Sequence, residues 1–129
     1  MQSADKTILY VDDEEHNLVS FKAAFRRDYN VLTANSAREG LRVLRENLVQ
    51  LIVTDQRMPE MTGVQFLEAV QPDFPNSVRM ILTGYTDIEQ IIKAINTGRV
   101  YRYITKPWDE EELRLTLDGA LRYFNVQEE

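Results

Sequence analysis

At 129 residues the chain is long enough for one sizeable core and too short for two ordinary ones, which predicts a single domain over residues 1–129. Fifteen basic against twenty-one acidic residues give a formal charge of −6 without a basic tract, arguing against nucleic-acid binding, and 43% hydrophobic with 28% charged residues is globular rather than disordered composition. The lack of cysteine excludes disulfides and thiolate sites and fits a cytoplasmic location, and no signal peptide or apolar run of membrane-spanning length is present.

Five short runs rich in Ile, Val, Leu or Tyr read as buried strands: Thr7 to Val11, Asn30 to Ala34, Leu51 to Thr54, Arg79 to Leu82 and Arg102 to Ile104. Helical spacing follows each of them. Leu18, Phe21 and Phe25 mark the first helix, and Ala37, Leu41, Leu44 and Leu48 the second. The third runs from Gly63 to about Val70 and stops before Pro72 and Pro75. Ile88, Ile91, Ile92 and Ile95 mark the fourth, and Leu113, Leu117, Leu121 and Phe124 the fifth.

Ser36 with Glu39, Asp87 with Gln90 and Asp109 with Glu112 have capping spacing, and Gly98 stops the fourth helix. Strand then helix, five times over, predicts an α/β fold with a doubly wound, mostly parallel five-stranded sheet between two helical layers. The final Val126-Gln-Glu-Glu129 reads as a helix running out of residues, so the expectation is a piece of a longer protein.

The chemistry lies where the strands end. In an open parallel sheet the carboxyl ends of the strands share one edge, where residues far apart in sequence converge. Asp12 and Asp13 follow the first run, Asp55 the third, Thr83 the fourth, and Lys106 closes the fifth. Two adjacent carboxylates repel unless protons or a cation relieve them, and a hard divalent ion such as magnesium suits them. An acidic helix start also complements the helix dipole, which is the reading for Glu14 and Glu15. A third carboxylate at another strand end shifts the balance to a cation site. Thr83 before Gly84 offers a hydroxyl donor and Lys106 a compact ammonium, both suited to phosphoryl oxygens.

The segments Val11-Asp-Asp-Glu14, Asp55-Gln-Arg-Met-Pro-Glu-Met-Thr-Gly63, Leu82-Thr-Gly84 and Tyr103-Ile-Thr-Lys-Pro107, in this order and spacing, resemble the receiver domain of two-component response regulators over essentially the whole chain. The resemblance implies a flavodoxin-like (βα)5 sandwich. It implies Asp55 as phosphoacceptor, Lys106 as phosphate-contacting cation, Thr83 as switch hydroxyl and Tyr103 as switch aromatic. Asp12, Asp13, Asp55 and the backbone carbonyl of Arg57 would hold Mg2+, with Mn2+ as a substitute, and Lys106-Pro107 would be a cis bond. Implied partners are a sensor histidine kinase or histidine phosphotransfer protein, an output domain, and a second copy through the fourth helix, fifth strand and fifth helix. Arg99, Arg102, Asp109 and Glu110 make that face charged. The domain itself would contact neither nucleic acid nor membrane. It would catalyse only its own phosphorylation and dephosphorylation, rather than act as an enzyme.

Tyr85, beside the switch threonine, is placed to hinder an attacking water, so Tyr85→Ala is expected to change autodephosphorylation. His16, the one histidine, reads as surface, and Trp108 as packing before the last helix. A haloacid dehalogenase-type phosphohydrolase shares the aspartyl-phosphate chemistry but wants an aspartate two places after the nucleophile, where Arg57 stands. A phosphorylation-independent interaction module of the same fold is the other alternative. The segments around Asp55, Thr83 and Trp108 are similar to receivers joined to cyclic-di-nucleotide phosphodiesterase, cyclase or transcriptional output domains.

Overall fold

The computed structural model describes residues 6–84 and 88–128. Five strands alternate with five helices: β1 (Thr7–Val11), α1 (Glu15–Phe25), β2 (Asn30–Ala34), α2 (Ala37–Glu46), β3 (Leu51–Asp55), α3 (Gly63–Val70), β4 (Val78–Thr83), α4 (Ile88–Asn96), β5 (Arg102–Thr105) and α5 (Glu110–Glu128). The last three strands run slightly past the apolar residues, so Asp55 and Thr83 belong to strands rather than to the loops after them.

The strands form one parallel sheet in the order β2-β1-β3-β4-β5, the doubly wound, flavodoxin-like arrangement. Strands covered on both faces read as unbroken apolar runs, and every residue of β1 and β3 is buried. Their alternation sorts the core into two layers. Ile8, Tyr10, Leu51, Val53, Met80 and Leu82 pack with Phe21 and Phe25 of α1 and Leu113 and Leu117 of α5. Leu9, Val11, Ile52 and Ile81 pack with α2, α3 and α4 through Leu44, Phe66, Leu67 and Ile91. Phe21 is fully buried, and truncating such a ring to alanine costs roughly 3–5 kcal/mol. Trp108 packs against this first layer, its ring centroid 5.6 Å from that of Phe25.

Capping groups set the helix ends. The Ser36 hydroxyl accepts from the Glu39 amide at 3.1 Å and the Asp109 carboxylate from the Glu112 amide at 2.9 Å. Gly98 ends α4 with φ +79°, a left-handed conformation that favours glycine. The expected Asp87 cap lies outside the described residues. Leu48 is a correction. It was expected to continue α2, but that helix ends at Glu46; Asn47 turns extended, its side-chain amide donating to the Val43 carbonyl, and Leu48 is 77% exposed.

The sheet closes on β2 at one edge and on β5 at the other, where β5 has only four residues and starts at exposed Arg102. Chain order reverses between β1 and β3, the switch point at which ligands bind in such sheets.

Candidate functional site

Parallel pairing brings Val11 opposite Thr54, so Asp12 and Asp13 leave β1 beside Asp55 at the end of β3. One carboxylate oxygen from each of Asp12, Asp13 and Asp55 lies within 4.8 Å of the others. Asp12 is fully buried, Asp55 nearly so, and Asp13 faces solvent. Lys106 closes the group: its Nζ stands 2.6 Å from Asp55 Oδ1 and 3.6 Å from Asp12 Oδ2. The Lys106 backbone is anchored to β4, its amide donating to the Thr83 carbonyl at 2.7 Å.

Three carboxylates against one ammonium leave the cluster with an excess of negative charge. Burial pushes the Asp55 carboxyl above the ordinary carboxylate range, with Asp12 and Asp13 adding to the rise and Lys106 opposing it. Burial alone would lower the Lys106 ammonium, but Asp55 and Asp12 outweigh it and hold the group above its ordinary value. A donor set of hard oxygens with this excess charge fits a divalent cation of the magnesium or calcium kind better than a soft one.

Thr83 is buried at the end of β4, opposite Thr105 of β5. Tyr103 pairs with Ile81, two steps back along the ladder, and is half-buried against the core layer on the α2–α4 side. Arg57 is exposed in the loop two residues after Asp55, and Lys106-Pro107 is cis, as the resemblance implied. Tyr85 lies outside the described residues. His16, Glu14 and Glu15 are exposed at the start of α1. Of the charges on the face expected to pair, Arg99 also pairs with Glu68 of α3 at 2.8 Å, Asp109 caps α5, and Glu110 pairs with Arg114 at 2.9 Å. Arg102 remains exposed, its guanidinium 5.6 Å from the centre of the Tyr101 ring.

Several functional neighbours escaped the sequence reading. Tyr10 donates its hydroxyl to Asp12 Oδ2 at 2.6 Å, Asn17 donates its amide to the same oxygen at 3.1 Å, and the Glu14 backbone amide donates to Asp12 Oδ1 at 2.9 Å. Tyr10 lies in β1 and Asp12 just past its end, two residues on, and the two-residue side-chain period of a strand is the signal that was available. Gln56, the residue after Asp55, is buried and two-handed. Its carbonyl accepts from the Val64 amide at 3.0 Å and its amide donates to Gln90 of α4 at 3.2 Å, linking the turn after β3 to both helices.

The profile of the response regulator receiver domain matches residues 8–118. The chain belongs to this family. Among curated proteins it is 39% identical over 127 residues to the hydrogenase transcriptional regulatory protein HoxA of Bradyrhizobium diazoefficiens, covering 98% of this chain and 26% of that one. It is 36% identical over 117 residues to the transcriptional regulatory protein ZraR of Escherichia coli K12, covering 90% and 26%. The receiver therefore spans about a quarter of the length of these relatives.

Solved structures agree on the fold. The signal receiver domain of an HD domain-containing protein from Pseudomonas fluorescens Pf-5 superposes with a TM-score of 0.89 at 33% identity, covering 98% of this chain and 93% of that one. A structure described as adenylate cyclase from Rhodopirellula baltica gives 0.91 at 29% identity, covering 94% and 90%. Receiver domains are signalling domains rather than conventional enzymes, which sets the dehalogenase-type reading aside. No helix among the described residues is long and apolar enough to cross a membrane.

Proposed function

We propose that Asp55 is the phosphoacceptor of a two-component phosphorelay. The carrying observation is the convergence of Asp12, Asp13 and Asp55 within 4.8 Å, with the Lys106 ammonium 2.6 Å from the acceptor oxygen. In-line transfer of a phosphoryl group demands positioning and charge cancellation rather than covalent machinery. A carboxylate oxygen of Asp55 attacks phosphorus on a phosphohistidine of a sensor kinase or phosphotransfer protein. The O–P bond forms, the P–N bond breaks, and the imidazole leaves with the electron pair, giving an acyl phosphate on Asp55.

Asp12, Asp13, Asp55 and the Arg57 carbonyl would hold magnesium, or manganese in its place, which when bound supplies neutralisation of the transferred oxygens. Lys106 and the Thr83 hydroxyl take the remaining phosphoryl oxygens by charge-assisted hydrogen bonds. Water attack at phosphorus of the same acyl phosphate breaks the Asp55 O–P bond, releases inorganic phosphate, returns Asp55 to the carboxylate and ends the signal.

The added dianion draws Thr83 inward and vacates space for Tyr103, changing the surface of α4, β5 and α5. That surface would contact the output domain or pair two copies, two-fold pairs being the commonest assembly. Exposed Ile92 on α4 and Tyr123 on α5 suit an interface. The fourfold greater length of HoxA and ZraR supports an output domain in the same chain, with residues 1–129 as the cytoplasmic receiver of a longer regulator, and their names favour transcriptional output. The receiver itself would touch neither nucleic acid nor membrane.

Incubation with magnesium and phosphoramidate, followed by intact mass, tests the reading. One phosphoryl adduct is expected, lost in Asp55→Ala and suppressed by EDTA. No adduct, or one that persists in the variant, would refute it.

A further inference from the structure

We propose that Tyr10 is a positioning residue of the acidic site, its phenol holding the Asp12 carboxylate in the orientation that gives the site its affinity for a divalent cation. This rests on the proposed function and extends it beyond the five residues that close the strands. Tyr10 is 1% exposed and stacks on fully buried Phe21, with centroids 4.3 Å apart and planes at 25°. The ring cannot swing aside, so its hydroxyl is a fixed donor.

The two oxygens of Asp12 are used differently. Oδ2 receives the Tyr10 hydroxyl at 2.6 Å and the Asn17 amide at 3.1 Å, and faces Lys106 Nζ at 3.6 Å. Oδ1 receives the Glu14 backbone amide at 2.9 Å, and with two lone pairs it keeps acceptor capacity for a cation. Asp12 is fully buried, so water cannot replace a lost donor at no cost. A phenylalanine would keep the stacked ring; only the tyrosine hydroxyl supplies the hydrogen bond. Outer partners of this kind typically set metal affinity by about 10–100-fold.

The test is Tyr10→Phe, which keeps the stacked ring and removes the hydroxyl alone. Calorimetric titration with MgCl2 and MnCl2 should show Kd raised about tenfold relative to wild type. Phosphorylation by phosphoramidate, followed against magnesium concentration, should lose more at half-saturation than at saturation. A purely packing role would move neither readout, because the ring remains. If the variant fails to fold, Asn17→Ala removes the second donor to Oδ2 from the partly exposed first turn of α1, and the same rise in Kd is required of it. Wild-type affinity in the folded variant overturns the inference alone. Wild-type protein that takes up neither metal overturns the proposed function, and this inference with it.

Discussion

A methyl group on Gly63 would meet the Asp55 carbonyl oxygen at 2.5 Å and Thr54 Cγ2 at 3.0 Å. The nearer obstacle is backbone, so the turn after β3 must shift to accept it, and overpacking of this kind costs about 1–3 kcal/mol. Gly63→Ala is therefore expected to lower the urea midpoint and to slow adduct formation at Asp55; full stability with full reactivity would show that the turn yields freely. A second prediction concerns Asp55 itself. Its pKa is raised in the folded chain, so between the ordinary carboxylate value and the raised one the folded state binds more protons than the unfolded state. Stability in EDTA then falls as pH rises through that interval, and Asp55→Asn removes this part of the fall. Urea denaturation of both proteins from acid to neutral pH should show the variant gaining on wild type as pH rises; a constant difference would count against it. Asp12, Asp13, Asp55, Thr83 and Lys106 were legible as residues because each is a polar group ending an apolar run. Tyr10 was not, since its alternation reads as core and the direction of its hydroxyl depends on the residue two places on.

Among the elements, α3 shows how local chemistry fixes a boundary that the acceptor depends on. Thr62 accepts from the Gln65 amide at 3.1 Å, and the Gln65 side chain accepts from the Thr62 amide at 2.9 Å, a capping box directly after the loop that follows Asp55. Removing the hydroxyl in Thr62→Ala should cost about 1 kcal/mol in chemical denaturation. No loss would mean that contacts elsewhere hold the helix start. The Thr-x-x-Gln spacing is present in the sequence and went unread there, while the equivalent Ser36 and Asp109 caps were anticipated and found. Strand ends were read short at Asp55 and Thr83 because a hydrophobicity pattern stops at the first polar side chain, whereas the backbone ladder continues: Asp55 still pairs with Leu82, and Thr83 with Thr105. Leu48 fits helical spacing from Leu44 but lies beyond the point where Asn47 ends α2, and spacing alone cannot see that stop.

For the molecule as a whole, the order of strands and helices was readable because parallel strands buried on both faces leave apolar runs too distinct to mistake. The assignment of helices to the two layers required the sheet. The proposed switch makes its own prediction at this scale. Beryllofluoride with magnesium, standing in for the phosphoryl group, should shift the sedimentation coefficient toward a dimer in wild type and leave Asp55→Ala monomeric; identical profiles would remove pairing through α4, β5 and α5. The brevity of β5 matters here for a different reason. An outermost strand offers unpaired amides and carbonyls on which a stray chain can template, and a long, flat, greasy margin seeds fibrils. Four residues opening on solvent-facing Arg102 give an intruder little to zip onto. The margin beside the proposed signalling face can thus change shape without becoming a nucleus for aggregation.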